Sequence, residues 1–148
     1  MSEYIRFARL AILVLILLLI GRLILGATGV SYQAGTGIFS LVTFSYMASF
    51  LFGAFSRPLR GYNWKQAIML GVTIVVSAQL LILLATVFSY LVGAETYFNH
   101  PMALNVPEAV TLPQALPIRL VGLVINTVSG SILALLGWTG GKLLPGKA

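Results

Sequence analysis

Residues 66–92 read QAIMLGVTIVVSAQLLILLATVFSYLV, and none of them is charged. A bilayer's hydrocarbon core is about 30 Å thick and takes about 20 apolar helical residues to cross. This stretch exceeds that length, so it predicts a transmembrane helix with room to tilt or to project past the bilayer. It lacks the in–out alternation of a barrel strand, and inside lipid only helices and closed barrels satisfy their backbone groups. A helix is the expected element.

Three more runs of this kind occur, at residues 7–25, 37–55 and 118–138. The expected fold is therefore all-α: an integral membrane four-helix transmembrane bundle forming one domain over residues 1–148. Composition agrees. The chain is 59% hydrophobic and only 8% charged, and its mean hydropathy is +1.00. A soluble domain carries about 25% charged residues. Nine Lys and Arg with three acidic residues cannot cover a water-facing surface of this size, and disorder needs the opposite composition. The net charge of +6 is not a nucleic-acid footprint, because the cations sit in short groups beside apolar segments rather than on one exposed face. Nucleic acid is not an expected partner.

Lys and Arg placement orients the spans. With the N-terminus inside, Arg6, Arg9, Arg57, Arg60, Lys65, Lys142 and Lys147 fall on the cytoplasmic side, and Arg22 and Arg119 lie toward the other. Tyr62, Trp64 and Trp138 then mark the inner interface, and Tyr32, Tyr90 and Tyr97 the outer one. The expected topology is N-in and C-in, multi-pass, in a bacterial cytoplasmic (inner) membrane. Arg6 and Arg9 before an apolar run have the order of a secretory signal, but Arg22 interrupts the run. An uncleaved signal anchor is the expectation.

The connections differ in character. Residues 26–36 hold glycines and no charge. Residues 56–65 read SRPLRGYNWK, in which Pro58 and Gly61 break the helix and Arg57, Arg60 and Lys65 reach anionic lipid at the inner surface. Residues 93–116 form the one substantial extramembrane segment, an ordered extracytoplasmic loop between the third and fourth helices. Asn105 is expected to cap a short turn there, and Thr111 with Gln114 three residues on resembles a capping box. Pro117 then opens the fourth span or kinks a longer helix.

Polar groups within the spans are few. Arg22 lies near the outer end of the first span, where it either snorkels to the headgroups, clamps the loop through Glu95 or Glu108, or binds an anion. Gln79 and Asn126 fall at similar depth, roughly 10–12 Å below the outer surface. They suit an interhelical hydrogen bond, or a small polar cavity with Ser45 and Tyr46. Small residues recur at intervals of four: Gly122, Asn126, Gly130 and Ala134 in the fourth span, Ser45, Ser49 and Gly53 in the second, Ala85, Ser89 and Gly93 at the end of the third. Such stripes let backbones approach closely in lipid, either within the chain or against a neighbour.

Catalytic chemistry is hard to assemble. Glu3, Glu95 and Glu108 are the only acidic side chains, and Glu3 lies across the bilayer from the other two. There is no Asp for a Ser-His-Asp triad and no Cys; His100 is the sole histidine, too few ligands for a zinc site or a bis-histidine haem. No internal repeat suggests an inverted-repeat transporter. The chain is expected to be a non-enzymatic, cofactor-free accessory or structural subunit of a larger membrane complex. Its expected partners are the lipid bilayer and other membrane subunits. Two alternatives stay open: a homo-oligomeric small transporter or channel, and a quinone- or lipid-interacting protein.

Overall fold

The computed structural model describes residues 2–35 and 40–144. Residues 36–39, with the expected start of the second span at Gly37, and residues 145–148, with Lys147, lie outside the described residues. Among the described residues every regular element is a helix. In chain order they are α1 (Ser2–Ala27), α2 (Tyr32–Gly35), α3 (Leu41–Arg60), α4 (Trp64–Leu91), α5 (Pro101–Leu104) and α6 (Leu112–Gly140), followed by a 3-10 turn at Gly141–Leu143. Three segments are long and apolar enough to cross a membrane: Glu3–Ala27, Trp64–Leu91 and Leu112–Leu143.

Local chemistry explains the helix ends. Ser40 starts α3 by accepting the Thr43 N–H at 3.3 Å. Asn63 and Gln66 form a reciprocal capping box at the start of α4, with Asn63 N–H to Gln66 Oε1 at 2.9 Å and Gln66 N–H to Asn63 Oδ1 at 3.0 Å. The Asn-x-x-Gln signature was present in the sequence and was missed. At Thr111 the expected contact forms, the Gln114 side chain taking the Thr111 N–H at 2.8 Å.

Three sequence expectations need correction. Pro58 does not break α3, which runs through it to Arg60. A proline within the last turn of a helix removes only one bond of the ladder, and Gly61 ends the helix at φ 66, its N–H returning to the Arg57 carbonyl at 2.9 Å. The fourth helix starts at Leu112 rather than 118, with Pro113 in its first turn; of the two readings of Pro117, the longer helix that contains it is the one observed. Asn105 does not open the turn that follows it; at φ 57 it closes α5 from the C-terminal side.

The helices α1 and α6 each pack on both α3 and α4, and α3 packs on α4. α4 carries the largest set of buried residues, so it forms the centre. The α3–α6 contact is close. A Cβ placed on Gly53 would strike the Ala134 carbonyl oxygen, and one on Gly137 the Phe50 carbonyl oxygen. On α4, a Cβ at Gly71 would lie 2.7 Å from Ala134 Cβ. Ser49 lies in the same seam, its Oγ 3.5 Å from a Cβ placed on Gly130; Ser45 is also buried, and both serines bond to their own helix's carbonyls. The small-residue stripes of α3 and of the C-terminal half of α6 thus face one another inside the chain. Gly122 is not part of this seam, since its nearest neighbour is Asn126 Nδ2 of its own helix at 3.9 Å. Ala85 is buried in a separate cluster with Leu15, Leu41, Ala78, Ile82 and Phe98.

One end of the bundle is tied by a relay. Glu3 accepts the Tyr62 hydroxyl at 2.7 Å, and the Tyr62 carbonyl accepts the Trp138 indole N–H at 2.7 Å. One turn therefore joins the start of α1 to the end of α6. Burial, and next the hydrogen bond to Glu3, push the Tyr62 phenol up to about 12 from 10.0. A raised folded-state value means that this contribution to stability is present below pH 10 and is lost as pH climbs toward 12. An alkaline absorbance titration should show one of the six tyrosines ionising near 12. Glu3→Gln should bring that midpoint down; an unchanged midpoint contradicts the contact.

Candidate functional site

The segment between α4 and α6 is an ordered cap held from below. Ser89 Oγ near the end of α4 meets Thr96 Oγ1 at 2.7 Å. Asn99 closes the turn by accepting the Thr96 N–H at 2.8 Å and donating to the Ala94 carbonyl at 2.9 Å. The Tyr97 hydroxyl reaches the Val30 carbonyl at 2.9 Å, which fastens the cap to the α1–α2 connection. The Tyr90 hydroxyl donates to the Val110 carbonyl at 2.8 Å. His100 caps α5, its Nδ1 accepting the Met102 N–H at 3.2 Å, and its ring stacks on Tyr32 at 4.8 Å.

Arg119 holds the centre of this cap. Its Nε donates to Thr86 Oγ1 at 3.0 Å, Nη1 to the Ala103 carbonyl at 3.2 Å, and Nη2 to the Phe98 carbonyl at 2.6 Å. The clamp expected of Arg22 with Glu95 or Glu108 is thus made by a different residue. No ion pair joins Arg22 to either carboxylate among the described residues, and both glutamates are exposed. Arg119 was read only as a cation on the minority side of the bilayer. Its place just after Pro117 at the start of an apolar run was the available signal.

Arg22 is 8% exposed, so it does not snorkel outward. Its Cζ lies 5.4 Å from the Tyr97 ring centroid, 5.7 Å from Phe98 and 5.8 Å from Tyr32, within range of cation–π attraction. Arg22 and Arg119 line one partly open cavity of about 130 Å³.

Deeper in the bundle, the Gln79–Asn126 pair does not form. Asn126 Oδ1 instead accepts the Tyr46 hydroxyl at 2.6 Å, joining α6 to α3. Gln79 is buried on α4, and its Nε2 has no hydrogen-bond partner among the described residues. The long tyrosine reaches across to Asn126, while Ser45 turns back to the Val42 carbonyl of its own helix. The expected polar layer of Gln79, Asn126, Ser45 and Tyr46 is thus reduced to the Tyr46–Asn126 bond. Asn126→Leu should cost about 1 kcal/mol, the usual size of an interhelical bond in lipid, read as a lower melting temperature in detergent. A melting temperature equal to wild type contradicts this.

Near Tyr62 and Trp138 the cations expected to contact lipid lie over rings. Arg57 Cζ is 4.9 Å from the Trp138 centroid, Arg60 Cζ 5.3 Å from Phe7, and Lys65 Nζ 5.4 Å from Trp64. Among the described residues no group of three or more His, Cys, Asp or Glu is placed to hold a metal ion. Comparison of the chain with protein-family models, curated proteins and solved structures gives no match.

Proposed function

We propose that the chain crosses a bacterial cytoplasmic membrane four times, with both termini inside, and serves as a structural subunit of a larger membrane complex. The observation that supports this is the cap: a surface segment fastened by Arg119, Tyr97, Tyr90 and Asn99 is a preformed platform for another protein. Preorganisation of this kind lowers the ordering cost of association. The groups with chemical capacity have structural work within the chain. Glu3 receives Tyr62, His100 caps a helix, and Arg119 anchors the cap. The close-packing seams of α3 and α6 face inward, so a partner would meet the cap rather than a helix–helix groove.

In this reading α3 is the second span, added to the three helices that are long and apolar enough by themselves, and its apolar run ends in Arg57 and Arg60 at the inner headgroups. The topology is tested readily, because the chain has no cysteine. In intact cells an impermeant thiol reagent should label Glu108→Cys and leave Lys65→Cys untouched; the reverse pattern inverts the orientation. Native mass spectrometry from mild detergent should find an unlike chain at fixed stoichiometry, lost when Arg119 is replaced. A ring of identical chains would favour the oligomeric channel, and a lone chain would overturn the subunit reading.

A further inference from the structure

The interface between α4 and α6 holds two buried polar groups at one level. Contacts along it run antiparallel. A Cβ on Gly71 would meet Ala134, one on Gly130 would meet the Val75 side chain, and Thr86 receives Arg119. Gln79 stands one turn beyond Val75 and within about 20° of Thr86 around α4. It therefore faces α6, between the Gly130 and Arg119 contacts. The part of α6 opposite it holds Asn126 and Thr127. Gly130 lies between Val75 of α4 and Ser49 of α3. Asn126 is turned about 40° from Gly130 to the α3 side, where it meets Tyr46, and Thr127 about 60° to the other side, toward α4.

Gln79 is 4% exposed, and its Nε2 has no hydrogen-bond partner among the described residues; the same holds for the buried Thr127 Oγ1. Hydroxyls within a helix commonly bond back to the carbonyl four residues earlier, as those of Thr73, Ser77 and Ser131 do. Thr127 does not. A buried polar group left unsatisfied bears its full desolvation cost. Two of them at one level of one interface call for a common partner.

The surrounding chemistry selects that partner. The Gln79 Nε2 group only donates, whereas a threonine hydroxyl both donates and accepts. Residues 75–83 and 123–131 are uncharged, so an ion would stand unpaired in a setting that penalises it. Ser45 reaches the same level from α3, one turn before Ser49. Its proton goes to the Val42 carbonyl, which leaves the oxygen free to accept. We infer that one water molecule is bound here, accepting from Gln79 Nε2 and the Thr127 hydroxyl and donating to Ser45 Oγ. Three bonds are the usual number for a buried water. The site requires neither the subunit reading nor the orientation proposed above.

Gln79→Met and Thr127→Val keep the side-chain shape and remove the polar atoms. In melts of the full chain in detergent, each should lower the melting temperature, because each leaves the bridge with a bond unmade. The double variant should melt no lower than the weaker single, since both changes act on one bridge. If the two groups are buried without a shared partner, each apolar replacement removes a desolvation penalty. An unchanged or raised melting temperature in either single therefore overturns the inference, as does a double loss equal to the sum of the singles. A wild-type structure at a resolution that shows ordered water decides the matter even if a variant folds badly. Density within about 3 Å of both Gln79 Nε2 and Thr127 Oγ1 is expected. No density there, or a Gln79 amide bonded to protein or lipid instead, overturns it.

Discussion

Replacing Arg119 with methionine is expected to detach the cap formed by residues 93–111 from the helices and lower stability by about 3–5 kcal/mol. Methionine keeps much of the apolar stem but none of the donors. The carbonyls of Phe98 and Ala103 and the hydroxyl of Thr86 all lose an ionic partner. Phe98 is 3% exposed, so water cannot readily replace the lost donor at that position, and an unsatisfied buried acceptor bears its full desolvation cost. Arg119→Lys should recover part of the loss, because one ammonium cannot reach three acceptors arranged around a planar fork. Hydrogen exchange across residues 96–106 should rise sharply in Arg119→Met while α4 stays protected. Wild-type protection of that stretch in the variant would mean that the cap is held by something else.

The second large effect is expected at Gly137. A leucine there puts its Cβ onto the Phe50 carbonyl oxygen, 2.9 Å from the Phe50 carbonyl carbon and 3.0 Å from the Ala54 nitrogen. All three obstacles are backbone, which cannot rotate aside as a side chain can. α3 and α6 must separate, and in lipid the close approach is itself a source of association. Overpacking typically costs about 1–3 kcal/mol; with main chain on the far side, a loss of about 3 kcal/mol or more is expected, seen as a lower melting temperature and a broadened elution profile. Gly122→Ala is the control. Its added methyl meets only its own helix's Asn126, and relieving a mid-helix glycine contributes up to about 1 kcal/mol of stability. If Gly137→Leu melts like wild type, the α3–α6 seam is wrongly assigned.

These two residues also show where reading the sequence succeeded and where it stopped. Helix positions were legible because hydropathy over 20 residues and the Thr111–Gln114 pair are local signals. Seam positions were less so. Steps of four overshoot a helical turn by about 40°, so a stripe written as Gly122, Asn126, Gly130 and Ala134 drifts around α6. The residues that meet α3 and α4 follow the true pitch through Gly130, Ala134, Gly137 and Gly141, and Gly122 lies about 80° away from Gly130. The clamp was illegible for another reason. Choosing between Arg22 and Arg119 requires knowing which helix end lies under which turn of the cap, and that is set by packing. Asn126 poses the same difficulty: its position along the helix is read from the sequence, but facing Tyr46 rather than Gln79 is a matter of helix rotation.

The relay from Glu3 through Tyr62 to Trp138 has a practical consequence. The chain has two tryptophans at this end, and their surroundings differ. Trp138 is bound through its N–H to Tyr62 with the Arg57 guanidinium 4.9 Å from its ring, while Trp64 is 49% exposed. With Trp64→Phe in place, intrinsic emission comes from Trp138 alone. It becomes an optical gauge for the moment at which the end of α6 lifts away from the α3–α4 turn, readable without any attached dye.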